Sequence, residues 1–298
     1  MFHLANRCSK RELNINLDGV KLSHDPTPKY LGLILDRSLT FHQHIKAVAA
    51  KTQSRVNLLR RLAGTGWGAS YDTLHRSTVA LAYSTAEYAA PVWSHSVHTP
   101  KIDVVLNDAM RLVSGCLMAT PVENLPVLCG IAPTNLRRNH QTIKLANKSD
   151  ESGSLVPRPT TLRGQRIRRN HFATQAMELQ LQHPFQPSWI DARWSEQWSS
   201  SNSNLKQFID NPSSKPTGCD LDRRAWVNLN RLRTGVGLTN YFLHKIGAAS
   251  SPNCECGEPQ TINHIINECR VYKSPRGIPG LKNLDDATIT WLKTDLPL

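Results

Sequence analysis

The sequence predicts a mainly α fold: a helical bundle with a short N-terminal β remnant before it and a small Cys/His module after it. Three observations carry this. Apolar residues recur at i, i+3/i+4 through most of residues 38–148, polar/apolar alternation is confined to the first 35 or so, and three of seven cysteines crowd between 254 and 269. At 298 residues the chain has the length of about two domains of roughly 150 residues each. Its 39% hydrophobic and 20% charged residues exclude a disordered or fibrous chain.

The β remnant comes first. Glu12–Leu17 alternates polar and apolar residues, Asp18-Gly19 is a type I′ hairpin signal, and Val20-Lys21-Leu22 resumes the alternation. After Pro26 and Pro28, Tyr30-Leu31-Gly32-Leu33-Ile34-Leu35 is a compact apolar run that fits one buried strand. This is too little sheet to stand alone, and the expectation is that the chain begins inside a larger domain.

Helical spacing follows. Ile45, Val48, Ala49, Val56, Leu59 and Leu62 form a stripe that stops at Gly64, with Lys51 and Arg55 together at its edge. A second helix, about Tyr71 to Tyr88, is apolar or small nearly all round at Val79-Ala80-Leu81-Ala82-Tyr83, which predicts an interior position and an end at Pro91. A third opens with Thr99 as N-cap and Pro100 at its first position, carrying Ile102, Val105, Leu106, Ala109, Leu112, Val113 and Cys116 on one face. Thr120-Pro121-Val122-Glu123 has capping-box spacing, Gly130 closes a short helix, and a longer one runs from about Pro133 to Lys148.

From Ser149 to about Asp220 the periodicity weakens. The stretch reads as a basic, weakly ordered linker with Arg163, Arg166, Arg168 and Arg169, then Trp189, Trp194 and Trp198. Order resumes near Arg223, where Trp226, Leu229 and Leu232 mark a helical face ending around Gly235 and Gly237. The expected organisation is therefore 1–37 β remnant, 38–148 bundle, 149–220 linker, and 221–298 helix plus Cys/His module.

Charge narrows the function. With 36 Lys+Arg against 23 Asp+Glu the net charge is +13, which favours a polyanionic partner, nucleic acid before membrane. Residues 251–298 carry five basic and six acidic side chains, so the surplus lies entirely upstream. An odd cysteine count forbids complete internal pairing, no stretch approaches the roughly 20 apolar residues of a membrane span, and the start lacks a signal-peptide profile. An intracellular chain, in nucleus and/or cytoplasm, is expected.

Cys254-Glu255-Cys256-Gly257, then His264 and Cys269, is the sharpest local signal. Three thiolates and an imidazole make a tetrahedral zinc set, and the four residues between His264 and Cys269 fit the usual second-pair spacing. One residue between the first two cysteines is short, and Gly257 would let the backbone turn so that both sulfurs face one ion. Four protein ligands leave no open position for water, so a structural Zn2+ is expected rather than a catalytic one. The alternative is three free cysteines and an unrelated histidine.

Leu229-Asn230-Arg231-Leu232-Arg233-Thr234-Gly235, Leu243-His244-Lys245 and the Cys-x-Cys-Gly…Gln260-Thr261…His264…Cys269 pattern resemble the C-terminal zinc-binding region of non-LTR retrotransposon reverse transcriptases, jockey-like or of the RTE type. Earlier blocks agree in order: Tyr30-Leu31-Gly32-Leu33 with Asp36 and Leu39-Thr40-Phe41, then Ala86–Trp93, then Gly130-Ile131-Ala132-Pro133 with Arg137-Arg138. The resemblance implies that 1–35 are the last palm strands, 38–148 a thumb-like helical bundle gripping the template–primer duplex, and the C-terminal module zinc-binding. Polymerase chemistry in that family needs aspartates that hold two metal ions, at an aromatic-x-Asp-Asp hairpin. This chain has no such hairpin, and its single Asp-Asp pair, Asp285-Asp286, suits helix capping. No catalytic residue is carried over, and the chain is not expected to be an enzyme on its own.

The leading expectation is thus a truncated reverse transcriptase fragment that binds RNA or DNA template–primer through Lys51, Arg55, Arg60, Arg61, Arg137, Arg138, Arg163, Arg166, Arg168, Arg169, Arg223, Arg224, Arg231 and Arg233. For each of these the plain alternative is a solvated surface charge. The second expectation is a zinc-stabilised protein-interaction module, its charge incidental, that docks a partner through Trp189, Trp194 and Trp198.

Overall fold

The computed structural model describes residues 15–151, 171–294 and 296–298, and over these the chain is mainly helical. It divides into two units, each built from three stretches: 1–53, 84–105 and 134–190 in the first, 54–83, 106–133 and 191–298 in the second. No helix among the described residues is long and apolar enough to cross a membrane.

The first unit opens with two antiparallel hairpins. Strands β1 (Asn16–Leu17) and β2 (Val20–Lys21) pair in the register Leu17↔Val20, with Asp18 and Gly19 both at positive φ, as a type I′ turn requires. The apolar run at 30–35 departs from expectation. Rather than one buried strand it folds back on itself as β3 (Lys29–Tyr30) and β4 (Leu33–Ile34), with Leu31 and Gly32 at positive φ in the turn and Tyr30 65% exposed. Gly32 supplies the turn. Tyr88 then pins it, its hydroxyl donating to Leu31 O at 2.9 Å.

Asp36 organises the step from hairpin to helix. Its Oδ1 accepts from the amides of Ser38 (3.1 Å) and Thr40 (2.9 Å), and its Oδ2 from Thr40 Oγ1 (3.0 Å) and the Phe41 amide (2.6 Å). Leu39 and Phe41 sit at positive φ, a conformation that costs a bulky residue about 1–2 kcal/mol each, and these bonds hold them there. Asp36→Ala is expected to cost about 2 kcal/mol, read as a lower urea midpoint with unchanged m. A change under about 0.5 kcal/mol would mean the turn holds itself.

Helix α1 (His42–Arg60) buries Ile45, Thr52, Val56 and Leu59. Leu62 lies past its end and is exposed, so the apolar stripe is one turn shorter than its spacing suggests. Helix α2 (Tyr71–Ser77) continues through a π-helical stretch (Thr78–Tyr83) into α3 (Ser84–Ala86). Thr78, Ala82 and Tyr83 are buried there but Ala80 and Leu81 face solvent, so the segment is one-sided rather than enclosed. Ala89 in the left-handed region breaks the helix, and Pro91 opens the next, α4 (Ala90–Trp93), instead of ending the last. In the first unit α4 packs on α7 (Thr134–Glu151), and α7 packs along α8 (Phe172–Gln182), where Gln180 Nε2 donates to Asn147 Oδ1 at 2.8 Å.

The sequence between 100 and 130, whose residues from 106 on belong to the second unit, mostly folds as its pattern requires. Helix α5 (Pro100–Ser114) starts at its proline and buries Ile102, Val105, Leu106, Ala109 and Val113. No capping box forms at Thr120. Pro121 stands at the N-cap of a 3-10 turn (Val122–Asn124) and Thr120 Oγ1 is buried without a partner, because that turn is too tight to present an amide to it. Helix α6 (Leu125–Cys129) ends at Gly130, φ 60°, and Tyr71 Oη donates to Cys129 O at 2.8 Å.

Of the stretch expected to be weakly ordered, residues 152–170 lie outside the described residues, and 171–220 carry α8, then α9 (Trp189–Ser200) and a 3-10 turn (Asn204–Gln207). Trp189, Trp194 and Trp198 are 3%, 5% and 7% exposed, which overturns their assignment as docking residues. They anchor the helix. Aliphatic periodicity is missing because these rings replace it, and Trp198 Nε1 donates to Ile209 O at 3.1 Å.

Helix α10 (Arg223–Thr234), capped by Asp222 and closed by Gly235 in the left-handed region, is the centre of the second unit. It closes the C-terminus of α5, whose last carbonyls have no intrahelical donor. Arg223 donates to Leu112 O (2.7 Å) and Val113 O (2.8 Å), Trp226 Nε1 to Val113 O (2.9 Å), Asn230 to Ser114 O (2.9 Å) and Arg231 Nε to Gly115 O (3.1 Å). Cationic side chains at a helix C-terminus also complement its dipole. Gly115, φ 73°, is required twice over, since a Cβ there would collide with Val227.

Candidate metal centre and basic residues

The Cys/His module begins after α11 (Asn240–Lys245). An isolated bridge joins Asn253 and Pro259, and inside it the Cys254 amide donates to Glu258 O (2.8 Å) and the Gly257 amide to Cys254 O (2.9 Å). Gly257 at φ 96° makes this tight loop possible, so the single residue between Cys254 and Cys256 suffices to turn both sulfurs to one side. Thr261 caps α12 (Ile262–Asn267), accepting from the His264 amide at 3.1 Å, and the helix carries His264 back toward the loop. Cys269 follows the helix end, and the Tyr272 amide donates to its sulfur at 3.2 Å.

The donor atoms of Cys254, Cys256, His264 and Cys269 all lie within 4.8 Å of one another. Cys254 and Cys269 sulfurs are 3.5 Å apart, Cys256 and Cys269 4.0 Å, and Cys256 Sγ is 3.1 Å from His264 Nε2. These separations are too long for a disulfide, at about 2.05 Å. They bracket the edge of about 3.8 Å that a tetrahedral ion with metal–sulfur bonds of about 2.3 Å imposes. His264 Nδ1, on the far side of the ring, lies 3.8 Å from Glu268 Oε2, beyond hydrogen-bond distance. Four soft or borderline donors, three of them buried, are thus close enough to hold a metal ion. Beside them, Tyr272 donates to Glu255 at 2.8 Å, which pushes its phenol up to about 12.

The basic residues divide. Lys51, Arg60 and Arg61 are exposed, and Arg55 and Arg224 are half-buried. Arg137 forms a fork on the buried Glu87, with Nε to Oε1 at 2.6 Å and Nη2 to Oε2 at 2.8 Å; Arg138 does the same on Asp103 at 2.6 and 3.0 Å. Arg223, Arg231 and Arg233 turn inward, at 5%, 6% and 2% exposure. Arg233 donates to Leu281 O (2.7 and 3.1 Å) and Thr217 O (2.9 Å), and burial pulls the Arg223 and Arg233 guanidiniums down to about 10. In this arrangement Arg223 and Arg233 give their donors to backbone carbonyls rather than a bound polyanion, and Arg231 does so through Nε and Nη1. Arg163, Arg166, Arg168 and Arg169 lie outside the described residues. Asp285 is the N-cap of α14 (Asp286–Leu292), accepting from the Thr288 amide at 2.9 Å, as the capping assignment requires. Arg111, on α5 and not singled out by the sequence pattern, pairs with Asp108 at 3.3 Å.

No family model and no solved structure matches the chain. Curated relatives do. The chain is 24% identical over 286 residues to the retrovirus-related Pol polyprotein from type-1 retrotransposable element R1 of Bradysia coprophila, covering 89% of the chain and 26% of that protein. It is 23% identical over 275 residues to the corresponding R1 4 polyprotein of Nasonia vitripennis, covering 88% and 65%. Over a shorter stretch of 103 residues it is 31% identical to the RNA-directed DNA polymerase from mobile element jockey of Drosophila funebris, 34% of the chain and 11% of that protein. The chain therefore spans between about a quarter and just under two thirds of the R1 relatives it matches along most of its length. Its resemblance to non-LTR retrotransposon reverse transcriptases is borne out by these relatives.

Proposed function

We propose that this chain is the C-terminal part of a non-LTR reverse transcriptase, a nucleic-acid-binding thumb and tail without the polymerase active site. Similarity to Pol proteins along 89% of the chain carries the reading. The basic surplus upstream of residue 251 supports a polyanionic partner, RNA or DNA template–primer, and the exposed Lys51, Arg60 and Arg61 are the side chains best placed to meet it. Arg55 and Arg224 stand at the margin of such a surface. Cys254, Cys256, His264 and Cys269 are assigned to a structural Zn2+, since their four donors leave no position for a reacting water. Asp285 is occupied as a helix cap, which supports reading this aspartate as structural.

Binding to a primer–template duplex is expected to fall steeply with salt, with a log–log slope of about −0.9 per phosphate neutralised. Lys51→Gln with Arg61→Gln is expected to make that slope shallower by about one to two units, read by fluorescence anisotropy from 50 to 300 mM salt at roughly even spacing. Salt-insensitive binding, or none at low salt, contradicts the reading, and primer extension by the purified chain contradicts the absence of a polymerase site.

A further inference from the structure

In the second unit a cavity of about 260 Å³ has four arginines among its lining residues, Arg60, Arg111, Arg223 and Arg231, and one acidic residue, Asp108. The nearby Cys116 adds no negative charge, because burial pushes its thiol up. Asp108 meets only Nη1 of Arg111, and Arg111 Nε is buried with no hydrogen-bond partner. Arg231 spends Nε on Gly115 O and Nη1 on Leu298 O, which leaves Nη2 undonated, and Arg60 makes only a 3.4 Å bond to Asn57. Among the described residues no aspartate or glutamate pairs with Arg60, Arg223 or Arg231. Cations gathered around one hollow repel one another and lose hydration, and the arrangement is relieved by an anion that accepts from several planar donors at once.

The rim adds a second feature. Ala63 and Thr65 line the cavity, and Gly64 between them accepts from Arg223 Nε at 3.2 Å. The Trp67 ring lies over Gly64, so close that a Cβ at Gly64 would be 2.5 Å from it, yet Trp67 is 78% exposed. An exposed indole beside a cationic hollow suits a stacked base next to its phosphate.

We propose that this cavity is a phosphate-binding site, in which Arg60, Arg111 and Arg231 receive a phosphoryl group. The volume lies just below the range of ordinary small-ligand pockets, enough for one phosphoryl group with part of its ester. The same chemistry arrives free, as inorganic phosphate, or on a nucleic-acid strand whose base stacks on Trp67. The site itself does not depend on the nucleic-acid reading above.

Two measurements on the full chain test it. Inorganic phosphate at millimolar concentration is expected to raise Tm relative to chloride of equal ionic strength, and Arg60→Gln or Arg111→Gln to abolish that rise. Asp108→Asn, which removes the one repulsive group, is expected to strengthen it, a gain that a merely destabilising change would not give. In the second measurement a single-stranded oligonucleotide is titrated. Loss of about one unit of salt slope in Arg60→Gln, with several-fold weaker binding in Trp67→Ala, assigns the phosphate to a strand. An intact slope beside a lost phosphate response assigns the site to free phosphate. Far-UV circular dichroism identifies a misfolded Arg111 variant, and the exposed Arg60 then carries the test. The proposal is overturned if folded variants leave both the phosphate response and the salt slope unchanged. Failure of nucleic-acid binding alone would leave the phosphate measurement standing.

Discussion

Replacing Arg223 by methionine is expected to destabilise the second unit by about 2–3 kcal/mol, although no carboxylate pairs with it. Its guanidinium donates to Gly64 O, Leu112 O and Val113 O, and is 5% exposed. Methionine fills much of the volume but donates nothing. Leu112 O would then lose its side-chain donor, at roughly 1–3 kcal/mol for an unsatisfied group, while Gly64 O would keep the Gly68 amide at 3.1 Å. Val113 O would keep Trp226 Nε1. Arg61→Met, an exposed control, is expected to move stability by no more than about 0.5 kcal/mol. Urea unfolding of both variants checks the contrast, and a loss below about 1 kcal/mol in Arg223→Met would show that the carbonyls find other donors.

Removing the metal is expected to have an effect of comparable or larger size, confined to the module around residues 252–272. That segment has one six-residue helix, α12, and a tight loop, and its aliphatic burial is that of Ile262, Ile265 and Ile266. Without an ion, three sulfurs and a ring nitrogen crowd within 4.8 Å of one another with nothing to neutralise a thiolate. Zinc bound by such sets in small domains contributes about 10–16 kcal/mol at neutral pH, far more than this loop can recover from packing. A strong chelator, or Cys269→Ser, should abolish the module's thermal transition and release one zinc per chain. The double change Cys256→Ser with His264→Ala should leave no bound metal. Metal stoichiometry near zero in protein purified with zinc present, or an unchanged transition after chelation, refutes the assignment.

How much of this was legible in the sequence depends on how local each cause is. The Asp18-Gly19 turn, the start of α5 at Pro100, the Gly235 stop and the Asp285 cap all rest on contacts within a few residues, and each folds as its motif requires. The grouping of the four Cys/His donors was readable for the same reason. Cys254 and Cys256 share one loop, His264 and Cys269 span one helical turn and its end, and Gly257 supplies the conformation that their close spacing demands.

Elsewhere composition misled because a residue type has more than one use. An apolar run from Tyr30 to Leu35 has the hydrophobicity of a buried strand, but glycine in its middle turned it into a hairpin. The tryptophans of α9 looked like docking residues because no aliphatic stripe accompanied them, when they were the stripe.

By itself the sequence determined the helical class, the Asp18-Gly19 hairpin, the Gly235 and Asp285 caps, the four Cys/His donors that come together and the excess of positive charge. The tertiary structure alone decided where that charge goes. Whether an arginine faces a polyanion or a helix's last carbonyls depends on what lies opposite it. Arg223 and Arg231 sit on α10 more than 100 residues along the chain from the α5 carbonyls they satisfy, a pairing that no spacing within the sequence encodes.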